Sequence, residues 1–312
     1  MRRSSILSLL LITILSFGLI FSSKAAYAHN FGSDESALYL AKVQEVPIEA
    51  HYIQSDIGNA TLVRWHVDKI GEYWTSYDNS QIAERNQLLA KEITGSIANL
   101  TSEATKTNPD PALVKQIVDN LDGYIAESVS VRIDQQKLQN LSVSALAIKA
   151  VTDEIMNDYG NATGSGSSMS SMSMSSGGSM GSMSSMSNSS NQQPASMIVN
   201  IAAYQSTQGL ATAAQNMWND LKAKTPSNAS STAISNLDKG FIQLEQYVDN
   251  KASNDQVMGV IHGVIHSNLQ IAYGLQVAPE FPAPLLLTVV SVAGVIAVAR
   301  FRLKHWRKDT NI

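Results

Sequence analysis

Apolar residues recur at helical spacing along most of the chain, and the stripes they draw predict helices. Leu62, His66, Ile70 and Trp74 share one face, and Leu89, Ile93, Ile97 and Leu100 share the next. Pro109 and Pro111 suit the first turn of a helix carrying Leu113, Ile117, Leu121 and Tyr124. Leu141, Ala145, Ile148, Ile155 and Tyr159 mark another. Ahead of these, residues 37–46 predict a helix that Pro47 stops, because proline lacks the N–H and crowds the preceding turn. Further on, residues 197–221 predict a long helix with Gly209 as its weak point. Ile234, Leu237, Phe241, Leu244 and Val248 form a stripe that begins after Pro226. Residues 257–275 form the last, with Ser253, Asn254 and Asp255 on offer as caps. No sustained apolar–polar alternation argues for a sheet. Antiparallel bundles are the economical way to bury such stripes.

Between residues 161 and 193 the pattern stops. That stretch holds almost only Ser, Gly, Met and Asn, with no aliphatic residue beyond Ala162. It cannot bury enough apolar area to offset chain entropy, so a disordered linker is expected. The expected fold is all-α, with helical units at 29–160 and 194–278 on either side of that linker. The units share a local signature. Asn120, Leu121, Asp122, Gly123 and Tyr124 parallel Asn236, Leu237, Asp238, Gly240 and Phe241, and each stretch is followed at similar distance by Tyr-Gly (Tyr159 and Gly160; Tyr273 and Gly274). A duplicated helical unit accounts for this.

Both ends change the picture. Arg2 and Arg3, an apolar run from Ile6 to Phe21, and Ala26-Tyr27-Ala28 together read as a signal peptide over residues 1–28. A second apolar run, 283–299, carries no charge and is just long enough for a transmembrane helix. Arg300, Arg302, Lys304, Arg307 and Lys308 follow it and predict a cytoplasmic tail with the ectodomain outside. Pro279, Glu280, Phe281 and Pro282 stand immediately before the run. A Pro-Glu-Phe motif, an apolar helix and a basic tail in that order resemble the tripartite sorting signals that archaeosortase-type enzymes read on archaeal surface proteins. The resemblance covers 279–312 and implies a sorting enzyme as partner and an exchange of this segment for another anchor. An ordinary single-pass anchor is the alternative.

Charge and cysteine narrow the function classes. Eight of the 22 Lys+Arg but only two of the 26 Asp+Glu lie in the two ends, so the stretch between has a net charge of −10. That disfavours nucleic acid and tolerates cations. No cysteine occurs, which removes disulfides, thiolate metal sites and thiol chemistry. Sequons begin at Asn59, Asn99, Asn140, Asn161, Asn188 and Asn228, as an exported glycoprotein would carry. No nucleophile elbow, phosphate loop, dinucleotide fingerprint or triad signature is visible, so no enzyme is expected.

Candidate chemistry gathers in three places. Met258, His262 and His266 repeat every four residues and share one helix face. Imidazole suits copper, zinc or iron, and thioether adds a preference for Cu(I). The equivalent positions of the first unit are Ser144, Ile148 and Thr152, so the histidines are an addition to the repeat. In the linker, Met169, Met172, Met174, Met180, Met183 and Met186 repeat without a leucine, isoleucine or valine among them. That contrast favours sulfur chemistry over mere hydrophobicity, and the Met-x-x-Met spacing resembles the methionine motifs of copper-handling proteins. His29, if cleavage makes it the first residue, could chelate Cu(II) with help from His51 or His66. His66 on its own stripe reads equally as a core histidine. Glu84, Asp122, Asp238 and Glu245 could complete an iron site, but no Glu-x-x-His occurs to anchor one. The sequence thus points to a membrane-anchored surface protein that binds or relays a transition metal, copper above all. A structural or protein-interaction module of the envelope, with no metal role, is the alternative.

Overall fold

Most of the described helices begin where the sequence offers a capping oxygen. A computed structural model describes residues 35–165 and 195–275, and among the described residues there are helices and short connections and no strand. The signal-like N-terminus, the linker methionines and the 283–299 run with its flanking motif lie outside the described residues. Among the described residues no helix is long and apolar enough to cross a membrane.

The helices are α1 (Glu35–Ser55), α2 (Ala60–Tyr73), α3 (Ser76–Ala83), α4 (Gln87–Ala104), α5 (Pro111–Arg132), a short α6 (Gln135–Leu138) and α7 (Leu141–Thr163). After the linker come α8 (Ile201–Ala223), α9 (Ser231–Asp249), α10 (Asn254–Val260), a π-helical turn Ile261–His266, and α11 (Ser267–Tyr273). Asp110 caps α5 by accepting from the Ala112 and Leu113 amides, with Pro111 at the first position. Ser253 and Gln256 form a reciprocal capping box at α10. Two sequon asparagines, Asn59 and Asn140, are themselves caps, of α2 and α7. Gly164 and Gly274 end α7 and α11 in the left-handed conformation that glycine adopts without strain.

Three expectations are corrected. Proline 47 does not end α1, which continues through Pro47 to Ser55. The lost backbone bond is offset by burial of Val46, Ala50 and Ile53, all 0 % exposed. The buried stripe of α5 is Val114, Val118, Leu121 and Ile125, one residue round from the expected Leu113 and Ile117. Gly209 is a point of close approach within an unbroken α8. A Cβ there would come within 2.5 Å of Ile48 Cγ2 on α1.

Two large apolar cores lie within the compact unit Ser33–Leu275. One is built by α1 to α5, around Ile53, Ile70, Ile93, Leu100 and Leu121. The other holds Trp218 stacked on Phe241, with ring centroids 5.8 Å apart, together with Leu237, Leu244, Ile261 and Ile265. Helix α7 contributes Ile148, Val151, Ile155 and Tyr159 to this second core. The break in composition at 161–193 and the break in the core therefore fall at different places in the chain. Helix α7 is buried on most sides because α1 lies along it on one flank and α8 on another.

Candidate functional site

The histidine pair sits on the π-helical turn. The i→i+5 bonding there widens the turn, so each residue rotates less than in an α-helix, and such turns recur at functional sites. The rings of His262 and His266 meet edge to face, with centroids 5.2 Å apart. His262 is exposed, and the His266 side chain keeps 12 % of its surface. His266 Nε2 lies 2.8 Å from Thr152 Oγ1 and 3.6 Å from Asp153 Oδ1, both on α7. Thr152 has one hydroxyl hydrogen and donates it to the Lys149 carbonyl, at 2.8 Å. With that hydrogen on the Lys149 carbonyl, the hydroxyl accepts from His266 in the tautomer that carries its hydrogen on Nε2. Metal-binding histidines are oriented in this way, one nitrogen donating to an oxygen while the other binds.

Met258 is half-buried and packs against the second core, and its sulfur accepts from Asn254 Nδ2 at 3.2 Å. It belongs to the regular α10 turn below the histidines and is held by that contact. Among the described residues, no group of three or more His, Asp or Glu is arranged to hold a metal ion.

The remaining candidates are dispersed. His51 Nε2 pairs with Asp122 Oδ2 at 2.9 Å, between α1 and α5. Asp238 accepts from Trp218 Nε1 and Lys222 Nζ in the other core. Glu84 is the C-terminal cap of α3. His29 lies outside the described residues.

A second polar locus lies deep between α1, α2, α7 and α8. His66 is fully buried, with Nδ1 2.5 Å from Glu49 Oε2 and Nε2 3.3 Å from Gln205 Oε1 and 3.6 Å from Asp56 Oδ2. Both ring nitrogens thus face oxygen atoms of neighbouring side chains. Tyr52 stacks on the ring, with centroids 5.2 Å apart. Ser206 Oγ lies 2.5 Å from Glu49 Oε1 and 2.7 Å from Asp158 Oδ2. Lys69 Nζ completes the cluster, 2.6 Å from Glu154 Oε1 and 3.0 Å from Asp158 Oδ1, with the Tyr73 ring 4.8 Å away.

Electrostatics here follow burial first. Loss of water pushes Asp158 up to about 7, with Lys69 pulling the other way and Glu154 adding to the rise. Burial also pushes Glu45 up to about 8, helped by Glu154 and opposed by Lys69. For Lys69 burial favours the neutral amine, but Asp158 and Glu154 outweigh it and raise the group. Burial and the surrounding carboxylates raise Tyr73 far beyond the ordinary phenol range. Sequence reasoning saw only His66 of this cluster. The available signal was charge at helical spacing in phase with the core, as in Glu45 and Glu49, or Glu154 and Asp158.

No family model, curated protein or solved structure matches the chain.

Proposed function

We propose that the protein is an exported, membrane-anchored surface protein that binds or relays a transition metal, copper in the first place. In this reading the signal peptide delivers two helical units that share α7 to the outside, and residues 279–312 hold them at the membrane or pass them to a sorting enzyme. Met169, Met172, Met174, Met180, Met183 and Met186 capture Cu(I). His262 and His266 form the ordered part of the site. The observation that carries the reading is the pairing of two imidazoles on a π-turn, with His266 already oriented by Thr152.

The donor set fits copper only if the linker joins it. Val199 N donates to the Ala162 carbonyl at 2.8 Å, so the chain leaves for the linker and returns from it at one place. Helix α7 runs antiparallel to the last helices, with Ser142 bonded to Tyr273 and Tyr159 bonded to Ala252. From Thr163 back to Thr152 is about 16 Å of helix, at about 1.5 Å per residue. Extended chain spans up to about 3.3 Å per residue, so a segment the length of 166–194 can bring thioethers to the histidines.

A second reading has its own observation in support. No third His, Asp or Glu completes the pair among the described residues, and the bond from His266 to Thr152 also ties the π-turn to α7. Here the histidines are structural and the protein is an interaction module of the envelope.

Cu(I), Cu(II) and Fe(II) titrations of the purified full chain separate the two. Beside it stand the His262→Ala/His266→Ala variant and a variant with all six linker methionines replaced by serine. The metal reading expects saturable Cu(I) binding that weakens in both variants. Absence of specific binding by the unaltered chain overturns it and leaves the interaction module.

A further inference from the structure

Ser206 presents a problem of hydrogen counting. Its side chain is fully buried, and its single oxygen makes two short contacts, to Glu49 Oε1 at 2.5 Å and to Asp158 Oδ2 at 2.7 Å. A hydroxyl has one hydrogen to donate, and an ionised carboxylate has none. One of the two acids must therefore bring a hydrogen of its own. Glu49 has Ser206 Oγ on Oε1 and His66 Nδ1 on Oε2, and Asp158 has Ser206 Oγ on Oδ2 and Lys69 Nζ 3.0 Å from Oδ1. The two acids share one hydrogen across the serine, and burial, which raises Asp158 above the ordinary carboxylate range, assigns it there. Asp158 donates to Ser206, and Ser206 donates to Glu49.

We infer that Asp158 holds a buried structural proton that latches α8 to α1 and α7, and that the latch loosens when this proton leaves. Without the proton, two buried carboxylates confront each other across a serine that can satisfy only one of them. Like charges in a dry site disfavour ionisation, and each lost bond leaves a buried polar atom unpaired. The groups that face this point come from every packed element. Helix α1 supplies Glu45 and Glu49, with Asp56 just beyond its end, and α2 supplies His66, Lys69 and Tyr73. Helix α7 supplies Glu154 and Asp158, while α8 contributes the neutral Gln205 and Ser206. Lys69 is the one lysine or arginine among these groups, and it shares its charge between Glu154 and Asp158. It lowers the cost of ionising Asp158 without removing it.

The sign is fixed by linkage. Asp158 rises from an ordinary 3.8 to about 7 on folding, so its proton stabilises the closed seam fully below about 4 and is lost as pH rises through about 7. The latch is tightest in acid and loosest above neutral. It needs no metal, and its test leaves the copper reading untouched.

Infrared difference spectra of the full chain with isotope-labelled aspartate carboxyls report the proton directly. A protonated aspartic acid signal should be present in mild acid, titrate away with a midpoint near 7, and vanish in Asp158→Asn. Hydrogen exchange reports the latch. Beyond the intrinsic rate, protection of α8 around Ser206 should fall by up to about tenfold per pH unit between about 4 and about 7, and then level off. Asp158→Asn, whose amide can still donate to Ser206, should lose the Asp158 share of that fall and keep only the shallower share tied to Glu45. Absence of a protonated aspartate signal in mild acid overturns the inference, whether or not the variant folds. The same pH-dependent opening in Asp158→Asn also overturns it.

Discussion

His66 Nδ1 meets Glu49 Oε2 at 2.5 Å, and neither side chain is exposed. This pair joins α2 to α1 at the centre of the polar locus, with Ser206 of α8 on the other oxygen of the carboxylate. Removing one partner of a buried pair costs more than the pair itself is worth, because the other charge stays behind. His66→Phe should lower stability by about 3 kcal/mol or more. Urea unfolding at neutral pH measures it, and an unchanged midpoint would show that the pair is dispensable.

Glu45 should make the whole domain less stable as pH rises. Burial lifts its carboxyl from an ordinary 4.5 to about 8, so the folded state holds a proton that the unfolded chain has already lost. The stability tied to that proton is complete below about 4.5 and disappears as pH rises through about 8. Asp158 acts in the same direction. Glu45→Gln, neutral at every pH, should flatten the fall in urea midpoint over that window. An equally steep fall in the variant would assign the effect elsewhere.

Two glycines should respond oppositely to alanine. At Gly209 a Cβ would stand 2.5 Å from Ile48 Cγ2 and 3.2 Å from Tyr52 Cε2. Overpacking of this kind costs about 1–3 kcal/mol, more than the helix propensity of alanine returns. At Gly123 nothing lies within 4 Å, so alanine should stabilise α5 by about 0.5–1 kcal/mol. Thermal unfolding of both variants tests the contrast, and a shift of the same sign in each contradicts it.

Thr152 should matter to copper without touching it. Its hydroxyl lies 2.8 Å from His266 Nε2, which holds the ring in place. Such outer partners are worth about 10–100-fold in metal affinity. Thr152→Val should weaken Cu(I) binding in that range in a competition titration while leaving the number of bound ions unchanged. Equal affinity would place the histidines outside the site.

The helices were legible wherever one face alone is buried. Leu237, Phe241, Leu244 and Val248 lie in the core as their spacing predicts. Legibility failed where helices are covered on several sides. Helix α7 buries Lys149, Thr152 and Asp158 along with its aliphatic residues, so no single stripe reveals its central place. Helix α1 buries Glu45 and Glu49, and its apolar and polar residues are spread around it, so Pro47 was read as a stop. The polar locus escaped notice for the same reason. A charged residue in phase with a stripe reads as a solvated edge until four helices are seen to converge on it. The histidine pair was found from its spacing, but its partner Thr152 comes from a helix far along the chain and cannot be inferred from periodicity.

X-ray absorption of the copper-loaded full chain, after excess metal has been removed with a competing chelator, tests the metal reading most directly. The account predicts retained Cu(I) with both thioether sulfur and imidazole nitrogen in its coordination shell, and loss of the imidazole contribution in His262→Ala/His266→Ala. Copper that is stripped completely, or a shell without either donor, would contradict it.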